Sequence, residues 1–333
     1  MQVIIPLAGF GKRMRPHTWS KPKPLLNVAG RPVLGHVLDK LAGLDVEELI
    51  FIVGWLGDQI EEYYRASDYP YPARYAEQRE LLGQAHAIWL ARELLSGPAF
   101  IVFVDTIFEA DLTGLQASDL DGVFYVHEVQ DPRRFGVTHL GDDGLVTRLV
   151  EKPDSFEDRL ALIGAYYIRD AAWLLRAIEE LMERRIQSKG EFYLADAFTL
   201  MIQQGARFGV REVSLWEDCG TPVDVLATNR HLLERDGGNS NGAAVVDSVL
   251  IPPVYVAPSA RVEHSIVGPY VTIADHGVVK QSIIRDSIID EGAYIDDTML
   301  DRSLIGKDAI VRGRYRVLNV GDSSQVDFAR ADE

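Results

Sequence analysis

Val3-Ile4-Ile5-Pro6-Leu7 runs straight into Ala8-Gly9-Phe10-Gly11-Lys12-Arg13-Met14-Arg15-Pro16 near the start of this 333-residue chain. The apolar run reads as a buried strand. Glycines at its end let backbone come close to a phosphate, with N–H groups lining a concave anion site. Arg13 adds a fork of donors suited to phosphate oxygens. Gly-x-Gly after a strand also occurs in dinucleotide-binding loops, but here the third glycine and a Gly-Lys-Ser/Thr ending are both missing.

Outward from this stretch the pattern is alternation. Glu48–Val53 and Phe100–Val104 read as further strands, with Val33–Leu41, Asp58–Tyr64 and Gln84–Leu95 as the helices between them. Strands then dominate, at Val123–Val129, Gly136–Leu140, Val146–Val150 and Ala161–Ile168. Helices return at Ala171–Arg184, Leu194–Gln204 and Val223–Glu234. This order predicts a Rossmann-like, doubly wound mixed α/β sheet over residues 1–235, with ligands beyond the carboxyl ends of its strands.

Residues 236–242, Asp-Gly-Gly-Asn-Ser-Asn-Gly, read as a linker because turn formers fill them and no large apolar side chain does. After them aliphatics recur every five or six positions, from Val256, Val262 and Val267 through Ile273 and Val279 to Ile305 and Val311. A 3.6-residue helix cannot sustain that spacing, whereas a coil of short strands can. Residues 243–320 therefore resemble a left-handed parallel β-helix of hexapeptide repeats, followed by a tail at 321–333. Such a stack is read first as a stabilising or oligomerisation module.

The chain carries a formal charge of −16 and 47% hydrophobic residues. The charge argues against nucleic-acid binding, which needs a basic stripe. Cys219 is the only cysteine, so no intrachain disulfide forms, and the eight histidines show no zinc spacing. No apolar run approaches the roughly 20 residues that span a bilayer. A soluble, cytoplasmic protein is expected.

The loop alone does not decide the chemistry. Ser20-Lys21-Pro22-Lys23-Pro24-Leu25-Leu26 follows it, and prolines on both sides of Lys23 predict an extended, stiff backbone presenting the amine. A stiffly held ammonium suits charge developing on a transferring phosphoryl group. With Gly9, Gly11, Arg13, Pro16, Thr18, Pro22, Lys23, Leu25 and Leu26 in order, the sequence resembles the sugar-phosphate nucleotidylyltransferase family through about residue 235. Within the family it resembles glucose-1-phosphate thymidylyltransferases and uridylyltransferases, and an appended β-helix also occurs in the family.

The resemblance implies Mg2+ held by two aspartates, and Asp105 and Asp218 stand at the matching positions. Asp105 follows Val104 where the family usually has glycine. Asp218 lies in Trp216-x-Asp218-x-Gly220-Thr221. Ala8, Gly9, Gly11, Gln78 and Gly83 match the nucleotide-binding segments, and Gln78 is expected to read the edge of uracil or thymine. Gly136, Glu151, Lys152, Gly164 and Tyr166 match those facing the sugar phosphate. Arg13 and Lys23 are the expected catalytic residues. The implied reaction joins a pyrimidine nucleoside triphosphate, dTTP or UTP, to a sugar 1-phosphate, by default glucose 1-phosphate, in a homo-oligomer without nucleic-acid or membrane partners. Two other readings stand beside it. One is a catalytically silent regulatory paralogue. The other is a bifunctional enzyme whose β-helix transfers an acyl group with His264 or His276 as base.

Overall fold

The computed structural model describes residues 1–188 and 190–313 and divides the chain into two compact units, Met1–Arg235 and a second beginning at Asp236. Residues 314–320 of the expected β-helix, and the tail at 321–333, lie outside the described residues.

In the first unit β1 (Gln2–Pro6) leads through the glycine loop to a small hairpin, β2 (Asn27–Val28) and β3 (Arg31–Pro32), and then α1 (Val33–Lys40). β4 (Glu48–Val53), α2 (Gly57–Arg65), β5 (Ala73–Glu77) and α3 (Gln84–Leu90) follow. Next come β6 (Ala99–Val102), β7 (Thr106–Glu109), β8 (Gly122–Glu128), β9 (Gly136–Leu140), β10 (Val146–Glu151) and β11 (Leu160–Ile168). The unit closes with α4 (Ala171–Glu183), α5 (Leu194–Gln203), β12 (Phe208–Glu212), β13 (Leu215–Asp218) and α6 (Pro222–Asp236).

The nine-stranded sheet runs β10-β9-β11-β6-β1-β4-β5, with β8 on β11 and β12 on β8. β1 is parallel to β4 and β6, whereas β11 is antiparallel to β6, so the sheet is mixed. Side chains alternate across it. Ile4, Ile50, Ile101 and Phe124 face a core built with α3, α4 and α5. On β4, Phe51 meets Tyr64 of α2 edge-on at 5.0 Å. Both faces being covered explains why the central strands read as continuous apolar runs instead of alternating ones. Each fully buried Ile or Phe contributes roughly 1.5–3 kcal/mol.

Several elements escaped the sequence reading. β5 is half-polar at the sheet edge, and β7 and β13 form a separate two-stranded antiparallel ribbon of four residues each. The helix expected over Gln84–Leu95 breaks at Ala91 and continues as a 3-10 turn, Arg92–Leu94.

The second unit is a parallel β-helix with three strand faces, consistent with the left-handed hexapeptide type. Arg261, Val278, Tyr294 and Ile310 lie in register on one face, each one coil apart. Val256, Val262, Val267, Ile273, Val279, Ile284, Ile289 and Ile295 fill the interior. At one corner the next coil's backbone N–H is satisfied by a serine: Ser265 N–H donates to Ser248 Oγ at 3.0 Å and Ser282 N–H to Ser265 Oγ at 3.1 Å. Residues 236–242 differ from the linker reading. Asp236 ends α6, and Gly238–Asn239 is already a strand of the first coil, paired with Val254–Tyr255 of the next. Gly238 takes φ +70 with a Cβ position only 2.1 Å from Val254 O, so its glycine serves close packing. Turn formers here build a coil edge, which composition does not distinguish from a linker.

Candidate active site

β1 ends at Pro6, and Leu7 N–H donates to Ile52 O at 2.7 Å, carrying the loop off the carboxyl edge of the sheet. Gly54 packs so closely on Ala8 that a Cβ there would meet Ala8 O at 2.8 Å. Gly11 adopts φ +58, and the Thr18 hydroxyl donates to its carbonyl at 2.9 Å. The loop then turns into a 3-10 helix, Lys12–Met14, anchored by fully buried Met14 and presenting Arg13.

Lys23 is not extended as the flanking prolines suggested. Pro22 is, but Lys23 begins a 3-10 turn, Lys23–Leu25, whose carbonyl accepts from Leu26 N–H at 3.1 Å. Pro24 fits early in such a turn, where its missing N–H has no partner to lose. The stiffness survives by another route. Lys23 Nζ lies 3.5 Å from Asp105 Oδ2, with the lysine side chain only 15% exposed.

The β7–β13 ribbon brings the two aspartates together. Asp105 immediately precedes β7, Thr106 pairs with Asp218, and Cys219 N–H donates to Asp105 O at 2.9 Å. Burial raises the pKa of Asp218, and the neighbouring charges of Asp105 and Asp224 add to it, while Lys23 opposes. Val104, in place of the family's usual glycine, is buried and leaves Asp105 on the cavity wall. Burial also pushes the Cys219 thiol up to about 12, so it is a packed, unreactive group.

Gln78 is buried, and its amide nitrogen donates to Gly83 O at 3.2 Å and faces His86 Nδ1 at 3.3 Å. Burial lowers the His86 pKa, favouring a neutral ring whose Nδ1 accepts from the amide. That arrangement spends both amide N–H groups internally and leaves Oε1 as the acceptor. Gly83 has φ +114 and a Cβ position 2.5 Å from Phe192 O, so only glycine fits.

On the other side, Gly136 would place a Cβ 2.8 Å from Glu151 Oε2, so its absence lets that carboxylate rest on β9. Lys152 Nζ is 3.5 Å from Glu151 Oε1 and 5.6 Å from the Tyr193 ring centre. Gly164, at φ +82, interrupts β11 where its register on β8 shifts, and its carbonyl accepts from Phe103 N–H at 2.9 Å. Tyr166 is buried, which raises its phenol pKa and keeps it neutral.

These residues line two adjoining cavities. One, of about 400 Å³, takes in Ala8, Gly9, Gly11, Lys23, Gln78 and Gly83. The other, of about 560 Å³, takes in Gly136, Glu151, Lys152, Gly164, Tyr166 and Asp218. Arg13 and Asp105 border both, and so do Gln84, Phe103 and Glu191, which sequence reasoning did not assign. Gln84 stood unassigned beside Gly83. Glu191 follows Gly190 in a tight turn with Ser188, and nothing local marks it as a wall residue. Arg134 and Tyr193 of the second cavity were missed for the same reason.

With Arg13 and Asp105 shared by both cavities, the fold and its strand-end loop belong to the nucleotidyl transferase class. The nucleotidyl transferase family model matches residues 2–235, and a GlmU-like C-terminal hexapeptide model matches residues 235–297. The chain belongs to the sugar-phosphate nucleotidylyltransferase family. A glucose-1-phosphate thymidylyltransferase of Streptomyces griseus is 30% identical, covering 99% of this chain and 100% of that protein. The low-salt glycan biosynthesis nucleotidyltransferase Agl11 of Haloferax volcanii is 32% identical, covering 98% and 99%. The bifunctional protein GlmU of Methanococcus vannielii is 29% identical over 75% of this chain, which spans 61% of that relative's length. UDP-glucose pyrophosphorylase complexed with UDP-glucose shares the fold at TM-score 0.63 and 18% identity, over 70% of this chain and 98% of that one. Among the described residues no helix is long and apolar enough to cross a membrane.

Proposed function

We propose that this chain transfers the nucleotidyl group of dTTP or UTP to a sugar 1-phosphate, by default glucose 1-phosphate, with release of pyrophosphate. One observation carries the reading: two cavities, each sized for part of a nucleotide sugar, share Arg13 and Asp105 at their junction. A phosphate from each substrate would meet there. The full-length similarity to a glucose-1-phosphate thymidylyltransferase supports the default sugar and base.

An oxygen of the sugar phosphate, already anionic, attacks the α-phosphorus. The bond to the bridging oxygen breaks, and pyrophosphate leaves with its electron pair. No covalent enzyme intermediate and no proton transfer are needed. Arg13 holds phosphoryl oxygens at the junction, and Lys23 meets charge developing on the transferred group. Gln78 Oε1 accepts from the imino N–H of uracil or thymine, which cytosine and adenine lack at that edge. Glu151 accepts from sugar hydroxyls, Lys152 pairs with the sugar phosphate, and Tyr166 walls the cavity.

Asp105 and Asp218 suit Mg2+. They are brought together at the phosphate end and would hold the ion between them, and its charge would relieve the repulsion that Asp105 exerts on Asp218. When bound, the ion neutralises phosphoryl charge. The reading includes a cytoplasmic homo-oligomer associating through the β-helix or the catalytic domain, and the in-register exposed aliphatic stripe of Val249, Ile266, Ile283 and Met299 supports the β-helix.

Pyrophosphate release across a grid of triphosphates and sugar 1-phosphates, with magnesium, tests the proposal. A best rate with dTTP or UTP is expected. A best rate with CTP or ATP refutes the role of Gln78, a best rate with GTP refutes the pyrimidine assignment, and no release with any pair refutes the reaction. A second reading draws on the GlmU-like match, namely acyl transfer by the β-helix. His264 and His276 both sit at coil corners with positive φ, and His264 Nδ1 lies 3.7 Å from Asp247 Oδ2. Acyl-CoA consumption in the same assay tests it.

A further inference from the structure

The site glycines differ in what demands them. Gly11 and Gly83 need positive φ, and Gly83 also faces immovable backbone. Gly220 needs neither, since its φ lies outside the left-handed region. A Cβ there would meet Asp218 Oδ1 at 2.8 Å, Asp218 Oδ2 at 3.1 Å and Arg13 Nη2 at 3.2 Å. Its close neighbours are therefore the working ends of a carboxylate and a guanidinium.

From this we infer that Gly220 is a positioning residue, holding open the point where Asp218 and Arg13 converge so that cation binding and phosphate orientation are coupled. This rests on the proposed nucleotidyl transfer and deepens it. The backbone around Gly220 is pinned on both sides. Cys219 N–H donates to Asp105 O at 2.9 Å, and the Thr228 hydroxyl donates to Asp218 O at 3.1 Å. Beyond it, Val225 N–H donates to Thr221 O at 2.9 Å, and the Thr221 hydroxyl donates to Asp224 Oδ2 at 2.6 Å. A methyl group at position 220 cannot push this backbone aside, so the two side-chain ends must yield. They are flexible, which means the fold survives while the geometry at the cavity junction is lost.

Gly220→Ala separates these effects, with Gly43→Ala as control, because Gly43 lies outside the site and its Cβ would meet nothing within 4 Å. Two readouts are compared with wild type: thermal shift on titration with magnesium alone, and turnover at saturating substrates. Expected for Gly220→Ala is an unchanged or slightly higher melting temperature without magnesium, and a magnesium midpoint raised several-fold. Turnover should fall about 10- to 100-fold, the scale of a sub-ångström to 1 Å misplacement. Gly43→Ala should match wild type in both. Wild-type magnesium response and turnover in Gly220→Ala overturn the inference. A fall in melting temperature without magnesium overturns it in favour of a packing role, and so does a wild-type protein with no response to magnesium. If wild type responds to magnesium yet releases no pyrophosphate, the reaction assignment fails, while the magnesium titration still decides the carboxylate half of the inference.

Discussion

Replacing Lys23 by alanine separates catalysis from folding at one residue. At 3.5 Å from Asp105 Oδ2, and with an effective dielectric near 20, the gross attraction is about 5 kcal/mol. Little of that appears as stability, because Asp105 is 48% exposed and exposed pairs return only about 0–1 kcal/mol. A loss of that size lowers the melting temperature by about 2–4 °C in a unit of this length. The transferring phosphoryl group makes a larger demand on Lys23. Removing one preorganised donor from such a site costs roughly 10²–10³ in turnover, or about 2.7–4 kcal/mol. Pyrophosphate release under saturating substrates, with melting curves on the same preparations, measures both numbers. Lys23→Arg should recover part of the rate, since charge is retained and reach is not. Turnover of Lys23→Ala within fivefold of wild type would refute the reasoning.

Asp218 is predicted to act on stability with the opposite sign. Its folded pKa is raised, chiefly by burial and then by Asp105, so its ionisation costs stability as pH rises from the ordinary carboxylate range through the folded value. Asp218→Asn should therefore raise the melting temperature at neutral pH without magnesium, abolish much of the shift magnesium gives, and inactivate the enzyme; a lower melting temperature would sink this argument. For Gln78→Leu, loss of the Oε1 acceptor and of the donation to Gly83 O and His86 Nδ1 that holds it should raise KM for the pyrimidine triphosphate about 10- to 100-fold. Steady-state kinetics check this, and an unchanged KM removes Gln78 from base reading. Ile266→Glu with Ile283→Glu charges the exposed stripe of the β-helix, and sedimentation should show a smaller assembly than wild type with the fold intact. Equal sedimentation of the two would place self-association elsewhere.

The parts of the molecule legible in advance are those whose cause is local. Val3–Leu7 announces a buried strand because both faces of β1 are covered, and the five-or-six-residue aliphatic spacing announces the coil because each interior residue must be apolar. Misread parts have tertiary causes. The β7–β13 ribbon pairs residues more than a hundred positions apart, so the ladder that brings Asp218 to Asp105 leaves no periodicity within either segment. Gln84 and Glu191 became wall residues because Gly83 abuts the backbone of Phe192, a contact invisible in either sequence. Lys23 was legible as a stiff cation but not as a 3-10 turn, since proline restricts its predecessor without fixing it.

The charges around the junction argue for the proposed cation more strongly than the motif does. A polyphosphate site needs positive walls, and Lys12, Arg13 and Lys23 supply them in the smaller cavity, with Arg134 and Lys152 in the larger. Two carboxylates set among those cations, in a chain already at −16, would repel the very ligand the cations attract. Burial sharpens the conflict, because Asp218 is held where its charged form is disfavoured and water screens it little. Lys23 offsets only part of this, being shared with Asp105. A divalent ion held by the two carboxylates would reverse the sign of the interaction, and Lys23 would then be available to the transferred group. On the proposed reading a bound cation would account for Asp105 and Asp218 together, and the small Gly220 would let Arg13 approach the same spot.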